Sequence, residues 1–515
     1  MNRLRSPLLW IAVLSTAAGL VYLHRLGSSP AYLSIEEVSQ SFHALRFAET
    51  GRNESGQLLP LFFPERGSGA VRDPVWIYAA AALLRVVPFS ATATRLLSAA
   101  AGVLDVVLMF LVARELFGRA RPAVIAAALL AVVPAHFIHS RIATSQIGTV
   151  TCALGWLLFL ARYVNRRRAR DLVLATFCLA LGMYTYLAAV IVMPLYFVVT
   201  LVVIRRCTRG TESGTAVRAA CAGFGLALGP FLLWHLVHLG DIGGMVAYYS
   251  AGEYNRNLGA EGFFGAKAIS HLDAWWDCYG PDKLFFSGDP DMRFSTRSAG
   301  YFLLAASVPM IVGLRHGWRM LKSETRVVLA SGLVIATLPA AVVSNSEIKR
   351  WLTFIPFAVL AATCGVEWML GHRRRLVRAG AVAVLLVAAI QARSFLSEYF
   401  GHYSIASAPK FGPNLAAAID QALAMSAPTD CILLDSGIDY IKDQWNLYTL
   451  VHGRSDVAAR TTWLRSGTAV SAPDACGGTT AIATAGDARF ASWRPFPIPE
   501  RDGTVVVAVY RRDAS

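Results

Sequence analysis

The chain has 515 residues, of which 55% are hydrophobic types and only 16% are charged, and it carries a formal net charge of +15. Soluble domains carry about 25% charged residues, so this composition excludes an ordinary soluble globule and points to lipid as the main solvent. The positive charge does not mark a nucleic-acid binder, because the arginines fall in short patches between apolar runs, the pattern by which a multi-span protein sets its orientation.

The chain opens Met1-Asn2-Arg3-Leu4-Arg5 and then runs apolar from Leu8 to Leu23. That run is about long enough to span and no small-x-small cleavage site follows it, which predicts a first span with its N-terminus inside rather than a cleaved signal peptide. Further apolar runs lie near 92–113, 122–137, 144–163, 171–186, 187–204, 217–238, 299–314, 327–344, 351–370 and 377–393, giving about 11 spans. Counting from an inside N-terminus, the inside loops hold Arg114, Arg119 and Arg121, the run Arg166-Arg167-Arg168, the pair Arg205-Arg206, then Arg315, Arg319 and Lys322, and finally Arg373-Arg374-Arg375. The short outside connections hold only Arg141, and Lys349 with Arg350. One topology thus gathers every basic patch on one side.

Three long segments then lie outside: 24–91, the acidic stretch 239–298, and the tail from 394. Pro74 to Phe89 is apolar but contains Arg85, and counting it as a span would invert every later loop, so it predicts an interfacial helix. In the tail, Cys431-Ile432-Leu433-Leu434 and Thr504 to Val509 predict buried strands, and Leu415 to Met425 predicts a helix. The expected architecture is mainly α: a polytopic transmembrane helical bundle over 1–393, with loop helices, followed by a small α/β domain over 394–515. None of the eight cysteines forms a C-x-x-C pair. Cys431 and Cys476 share the tail and would pair if it faces an oxidising compartment, a pairing that spacing alone leaves open.

Two adjacent carboxylates, Glu36 and Glu37, follow the first span in Leu33-Ser34-Ile35-Glu36-Glu37. Ser34 fits an N-cap, with both acids in the first turn where the helix dipole favours them. A carboxylate there also suits a general base at a membrane surface, and a capped helix would be a rigid mount for one. Asp105 lies inside the second span, where an acid needs a polar partner that the sequence does not name. Trp275, Trp276 and Tyr279 suit either a sugar-stacking platform or an aromatic belt.

The run Leu33 to Leu61, LSIEEVSQSFHALRFAETGRNESGQLLPL, resembles the first outside loop of the GT-C glycosyltransferases, in the group that holds the protein O-mannosyltransferases and the lipid A aminoarabinose transferases. The family's Asp-Glu pair, Thr-Gly-Arg turn, Lys-Pro-Pro segment and Arg-Leu-x-Ser segment correspond here to Glu36-Glu37, Thr50-Gly51-Arg52, Arg72-Asp73-Pro74 and Arg95-Leu96-Leu97-Ser98. Downstream, Pro134 to Arg141, Gly182 to Tyr186, Gly288 to Arg293 and Ile348-Lys349-Arg350-Trp351 continue the resemblance, which covers roughly 30–400. The departures are Glu36 for the family's leading Asp, Arg72 for its lysine, and Ala70 where an acid often stands.

The resemblance implies a bacterial inner-membrane enzyme with a cytoplasmic N-terminus and a periplasmic tail. It implies a polyprenyl-phosphate sugar as donor and a lipid, glycan or protein as acceptor, with membrane lipid around the bundle and no nucleic acid. Glu36 would be the catalytic base, with Glu37 orienting it or the acceptor. Arg72 would grip the donor phosphate, with Arg141, Arg350 and Arg293 as further cations; the alternative for Arg141 and Arg350 is interfacial snorkelling or ion pairing. Such clamps would need no cofactor; a divalent metal would fall to Asp289 and Asp291, for which a solvated acidic loop is the plainer account. A surface-polysaccharide ligase or polymerase would share this architecture, whereas a transporter would be expected to show internal repeats, which the sequence lacks.

Overall fold

The computed structural model describes residues 2–64, 71–208, 210–237, 268–465, 470 and 476–513. The first helix, α1 (Asn2–Leu23), leads through an irregular loop to α2 (Ile35–Thr50). A capping box starts α2: the Ser34 hydroxyl accepts from the Glu37 N–H, while the Glu37 carboxylate accepts from the Ser34 N–H at 2.7 Å. Gly51, at φ 66°, ends it in the left-handed conformation that glycine adopts without strain.

Strands β1 (Phe63–Pro64) and β2 (Val71–Arg72) pair antiparallel and deliver the chain to α3 (Pro74–Leu84), which begins with proline at its first position. The apolar stretch from Pro74 to Phe89 thus carries a short helix that ends at Leu84, just ahead of Arg85. The bundle continues with α4 (Ala91–Phe117), α5 (Ala120–Ala131), α6 (Pro134–His139), α7 (Gln146–Arg166), α8 (Ala169–Gly182), α9 (Ala189–Cys207) and α10 (Thr211–Val237). After Ala268–Asp277 come Ser307–Arg315, Ser323–Ile335, Leu338–Val342, Phe354–Leu370 and Arg375–Phe400.

Each expected apolar run carries a helix, and among the described residues six helices are long and apolar enough to cross a membrane. Two runs are broken. Proline has no N–H for the helix ladder, so the run near 122–137 divides between α5 and α6 at Pro134, and the run near 327–344 divides ahead of Pro339. Packing is close where small residues face each other. A Cβ added at Gly313 would lie 1.8 Å from the Ala361 carbonyl oxygen, and one at Gly365 would lie 1.9 Å from that of Pro309. Such seams let helix backbones approach in lipid, where no hydrophobic force drives association.

The two ends of the bundle differ in chemistry. At one end the buried Glu367 holds Arg121 at 2.7 Å and Arg119 at 3.4 Å, Glu115 pairs with Arg166 at 2.7 Å, and Lys322 donates to Asn165 at 2.6 Å. The basic loops that the sequence groups together do meet there. Glu36 and the turns around 289–293 and 347–350 lie at the other end.

The tail forms a five-stranded sheet, ordered β4-β3-β5-β7-β6, from β3 (Cys431–Asp435), β4 (Thr461–Leu464), β5 (Gly478–Thr484), β6 (Arg494–Pro499) and β7 (Val505–Asp513). The helices Leu415–Met425 and Ile441–Val451 cover one face through Ile419, Leu423 and Trp445; Phe490 and Trp493 pack on the other. The helix predicted from Leu415 to Met425 and the strand cores near 431 and 505 form as read from the sequence. Leu447 and Tyr448 dock against Leu33, Val38 and Phe42 of the α2 region, Tyr32 donates to Glu500 at 2.7 Å, and Arg501 donates to the Ser28 carbonyl at 3.3 Å. A disulfide joins Cys431 to Cys476 with a Cα–Cα distance of 5.6 Å.

That disulfide makes a count testable. Denatured, unreduced protein should take maleimide tags on only its six free cysteines, and on all eight after reduction. An equal count before and after reduction would remove the bond and the oxidising environment it implies. Cys431→Ser should lower the stability of the tail by about 2–4 kcal/mol in thermal unfolding.

Candidate active site

The first turn of α2 sends its two carboxylates to different places because adjacent helical residues point about 100° apart. Glu37 is fully buried. Its Oε1 accepts from Arg95 Nε at 2.8 Å and from the Ala143 N–H at 2.9 Å; its Oε2 accepts from the Ser34 N–H at 2.7 Å and from Arg95 Nη2 at 3.3 Å. Arg95, also fully buried, donates onward to the carbonyls of Leu26, Pro30 and Tyr32 at 2.7–3.1 Å. The pair fastens α2, α4, the 24–34 loop and the start of the 143–146 turn together. Glu37 therefore touches no solvent, and its hydrogen bonds fix the start of α2.

Glu36 faces the other way, with its side chain 22% exposed. Arg293 donates to both of its oxygens at 3.2 Å and also pairs with Asp291 at 2.8 Å. A chain of contacts holds Arg293 in place. Asp289 Oδ2 accepts from the Ile348 N–H at 2.9 Å and from the Tyr301 hydroxyl at 3.2 Å, and Asp289 Oδ1 accepts from the Asp291 N–H at 2.9 Å. Asp289 thus ties the 289–293 loop to the 347–350 turn, and both aspartates are occupied in shaping that loop. Among the described residues no three His, Cys, Asp or Glu side chains gather as a metal-ligand set.

Lys349 sits beside the same cluster. It pairs with Glu347 at 2.7 Å, and its ammonium lies 5.1 Å from the centre of the Phe294 ring, over which Arg293 also lies at 5.3 Å. His139, from α6, stacks on that ring at 5.2 Å. Arg350 is largely buried and its guanidinium approaches Glu347 at 4.0 Å. Burial pushes the Asp291 carboxyl up, but hydrogen bonds from the Arg293 side chain and backbone outweigh it and the net shift is down. Burial likewise opposes Lys349 and Arg350 at Glu347, and the net is again down. For Asp289 burial prevails over its N–H donors and the carboxyl moves up.

The remaining sequence candidates divide. Arg72 is the last residue of β2, so the strand pair and the Pro74 helix start fix its backbone, and its side chain lies outside the described residues. Arg141 is fully buried, and its guanidinium donates to the carbonyls of Tyr22 in the last turn of α1 and of His24 and Ser29 beyond it, beneath the rings of Phe137, Tyr399 and Phe400. It caps the end of α1. The turn residue Arg52 likewise closes its own loop, donating to the Gly56 carbonyl at 2.6 Å. Asp105 finds its partner in His136 at 3.1 Å, which in turn meets the Tyr22 hydroxyl at 3.0 Å. Trp275 and Tyr279 bond Thr337 at 3.0 and 2.9 Å. Lys349 was not singled out from sequence, where it read only as an outside charge; its place beside the Gly288–Arg293 motif comes from the Asp289–Ile348 bond.

An apolar cavity of about 260 Å³ opens between α3, α9 and α10, lined by Phe62, Pro74, Met183, Leu187 and Leu228 with Asp73 at its polar end. Asp73 accepts from Ser145 at 2.6 Å, which links this cavity to the 143–146 turn beneath α2.

These two carboxylates should separate in stability measurements. Arg95→Leu strands a buried charge and should lose about 3–5 kcal/mol, read as a lowered melting temperature in detergent. Glu36→Gln, half-way to solvent, should change it by under about 1 kcal/mol. Equal losses would contradict the division of labour between the two acids.

The family described as dolichyl-phosphate-mannose-protein mannosyltransferase matches residues 71–234. No curated protein sequence matches the chain significantly. Among solved structures, apo ArnT from Cupriavidus metallidurans is similar over 98% of this chain and 97% of its own, with 13% identity and a TM-score of 0.57. The same protein bound to undecaprenyl phosphate gives 13% identity and a TM-score of 0.49 over 98% of each chain. The arabinofuranosyltransferase AftD from Mycobacteria is similar over 98% of this chain but 40% of its own, with 12% identity and a TM-score of 0.48. With a fold shared along nearly its whole length and a family signature from β2 into α10, the chain is similar to the GT-C membrane glycosyltransferases, the group that its sequence resembles.

Proposed function

We propose that this protein is a glycosyltransferase that moves a sugar from a polyprenyl-phosphate carrier to an acceptor hydroxyl or amine, with Glu36 as general base. The observation that carries this reading is the pairing of one solvent-reaching carboxylate, on a rigidly capped helix, with a cation-bearing loop, and the link from that helix through the 143–146 turn to an apolar cavity between α3, α9 and α10. The matched family takes its sugar from dolichyl phosphate, a carrier of the same class.

In the proposed reaction the acceptor's proton passes to Glu36 as its oxygen or nitrogen attacks the anomeric carbon from the face opposite the phosphate. The bond between that carbon and the phosphate oxygen breaks, the phosphate keeps the electron pair, and configuration inverts. Positioning the base against the attacked carbon supplies proximity, and a general base contributes about 10²–10⁴-fold. The leaving phosphate gains charge, which Arg72 and Lys349 would meet, with Arg350 behind them. Arg293 occupies Glu36 before substrate arrives and keeps it in place; acceptor entry exchanges that contact for one with the acceptor. Cationic side chains do the work that a metal does in nucleotide-sugar enzymes.

We place the site on the outer face of a bacterial inner membrane, with the N-terminus cytoplasmic and the C-terminal domain periplasmic. The basic loops at the opposite end of the bundle support this by the positive-inside rule, and the tail disulfide supports it by redox compartment. The tail would then cover α2 beside the acceptor's route.

Purified wild-type protein given an undecaprenyl-phosphate sugar should release free undecaprenyl phosphate as the acceptor gains the sugar. A transporter would move the donor intact. Lys349→Ala should raise the KM for the donor about tenfold with little change in melting temperature, whereas Arg141→Leu should lower the melting temperature by several degrees. A donor KM unmoved by Lys349→Ala would take that residue out of the phosphate site.

A further inference from the structure

Three buried side-chain oxygens near Glu36 have no hydrogen-bond partner among the described residues. They are Gln40 Oε1, Thr144 Oγ1 and Gln146 Oε1, on residues that are 5%, 1% and 6% exposed. Buried polar atoms are nearly always paired, so three orphans in neighbouring segments call for an explanation.

Their placement follows from contacts already described. On α2, Gln40 lies one turn on from the two acids, about 40° round the axis from Glu36 and about 60° from Glu37. Glu37 accepts from the Ala143 N–H at 2.9 Å, so the turn carrying Thr144 and Gln146 abuts that side of α2. Between them, Ser145 donates to Asp73 at 2.6 Å, and Asp73 closes the polar end of the apolar cavity, one residue beyond Arg72. The orphans therefore lie between the apolar cavity and the first turns of α2, which carry the base.

The two carboxamide oxygens can only accept, and the Thr144 hydroxyl can accept as well as donate. A polyprenyl-phosphate sugar has three chemical parts. The polyprenyl chain carries no O–H or N–H group. The phosphodiester is anionic and accepts only, and its oxygens would be repelled by the two carboxamide oxygens. Only the sugar presents several hydroxyl donors close together. We propose that Gln40, Thr144 and Gln146 form the subsite that holds the donor sugar, with the Gln40 and Gln146 carboxamides each accepting from a sugar hydroxyl and Thr144 accepting from a third. This rests on the proposed donor class and adds the residues that distinguish a loaded carrier from a spent one. After transfer the carrier loses these bonds and leaves.

The test is binding of undecaprenyl phosphate and of its mannosyl, glucosyl and arabinosyl esters to the full-length protein in nanodiscs. Wild type should bind at least one ester more tightly than the bare phosphate. Gln40→Leu and Gln146→Met should each cut that preference about tenfold, leave affinity for the bare phosphate unchanged, and raise the ligand-free melting temperature, since each removes an unsatisfied buried acceptor. Thr144→Val provides a third, nearly isosteric variant. Variants that keep the full preference would overturn the subsite, as would a wild type that binds bare phosphate and esters alike, the result expected if only water fills these positions; in both cases the lipid-phosphate reading would stand. A wild type that binds none of these lipids would overturn the proposed function and the subsite with it.

Discussion

Arg95 and Glu37 are charges taken wholly out of water, and almost everything at the candidate site is located relative to them. A buried ion pair is tolerable only when every remaining donor and acceptor is used. Here Arg95 spends its donors on Glu37 and three carbonyls of the 24–34 loop, while Glu37 takes the N-cap amide of α2 and the Ala143 amide. The chain cannot shift at any of these points without leaving a charge unpaired in a medium that does not solvate it. The first turn of α2 is consequently fixed from several sides, and Glu36 is mounted on it.

The second constraint comes from Asp289, which splices two turns far apart in sequence. By accepting from the Ile348 N–H it brings Lys349 and Arg350 to the loop of Asp291 and Arg293, and Arg293 closes onto Glu36. Phe294, with His139 stacked on it and two cations over it, fills the space between. The site is thus assembled from α2, α6 and two loops, each pinned by buried polar contacts. Docking of the tail on α2 adds a further wall that lies close to Glu36 in space and about 400 residues from it in the chain.

Sequence revealed what depends on local composition and little of what depends on partners. Apolar length located the helices, and short apolar runs located two of the tail's five strands, because burial in lipid and in a small core both act residue by residue. The pairing of basic loops followed from orientation, a rule about sides. Prolines 134 and 339 were visible, but whether a proline kinks a span or divides it depends on what packs at the break. Arg141 and Lys349 show the limit most clearly. Both are cations on short connections between apolar runs, and nothing in the sequence says which one is spent on the fold. One is buried under three aromatic rings and spent on carbonyls, and the other pairs with Glu347 over Phe294, beside the loop that reaches Glu36. Glu37 and Glu36, adjacent and alike, diverge because a helix turns about 100° between them. The cysteine pair was legible as a candidate, and only Cα separation decided it.

The measurement that bears most directly on Glu36 as the base is a single turnover. Wild type and Glu36→Gln would be loaded with an undecaprenyl-phosphate sugar, shown to hold it equally, and mixed with saturating acceptor. The account predicts that Glu36→Gln transfers the sugar at least about a hundredfold more slowly, with donor binding and melting temperature unchanged. Transfer at the wild-type rate would contradict it, and would move the base to another group on the outer face.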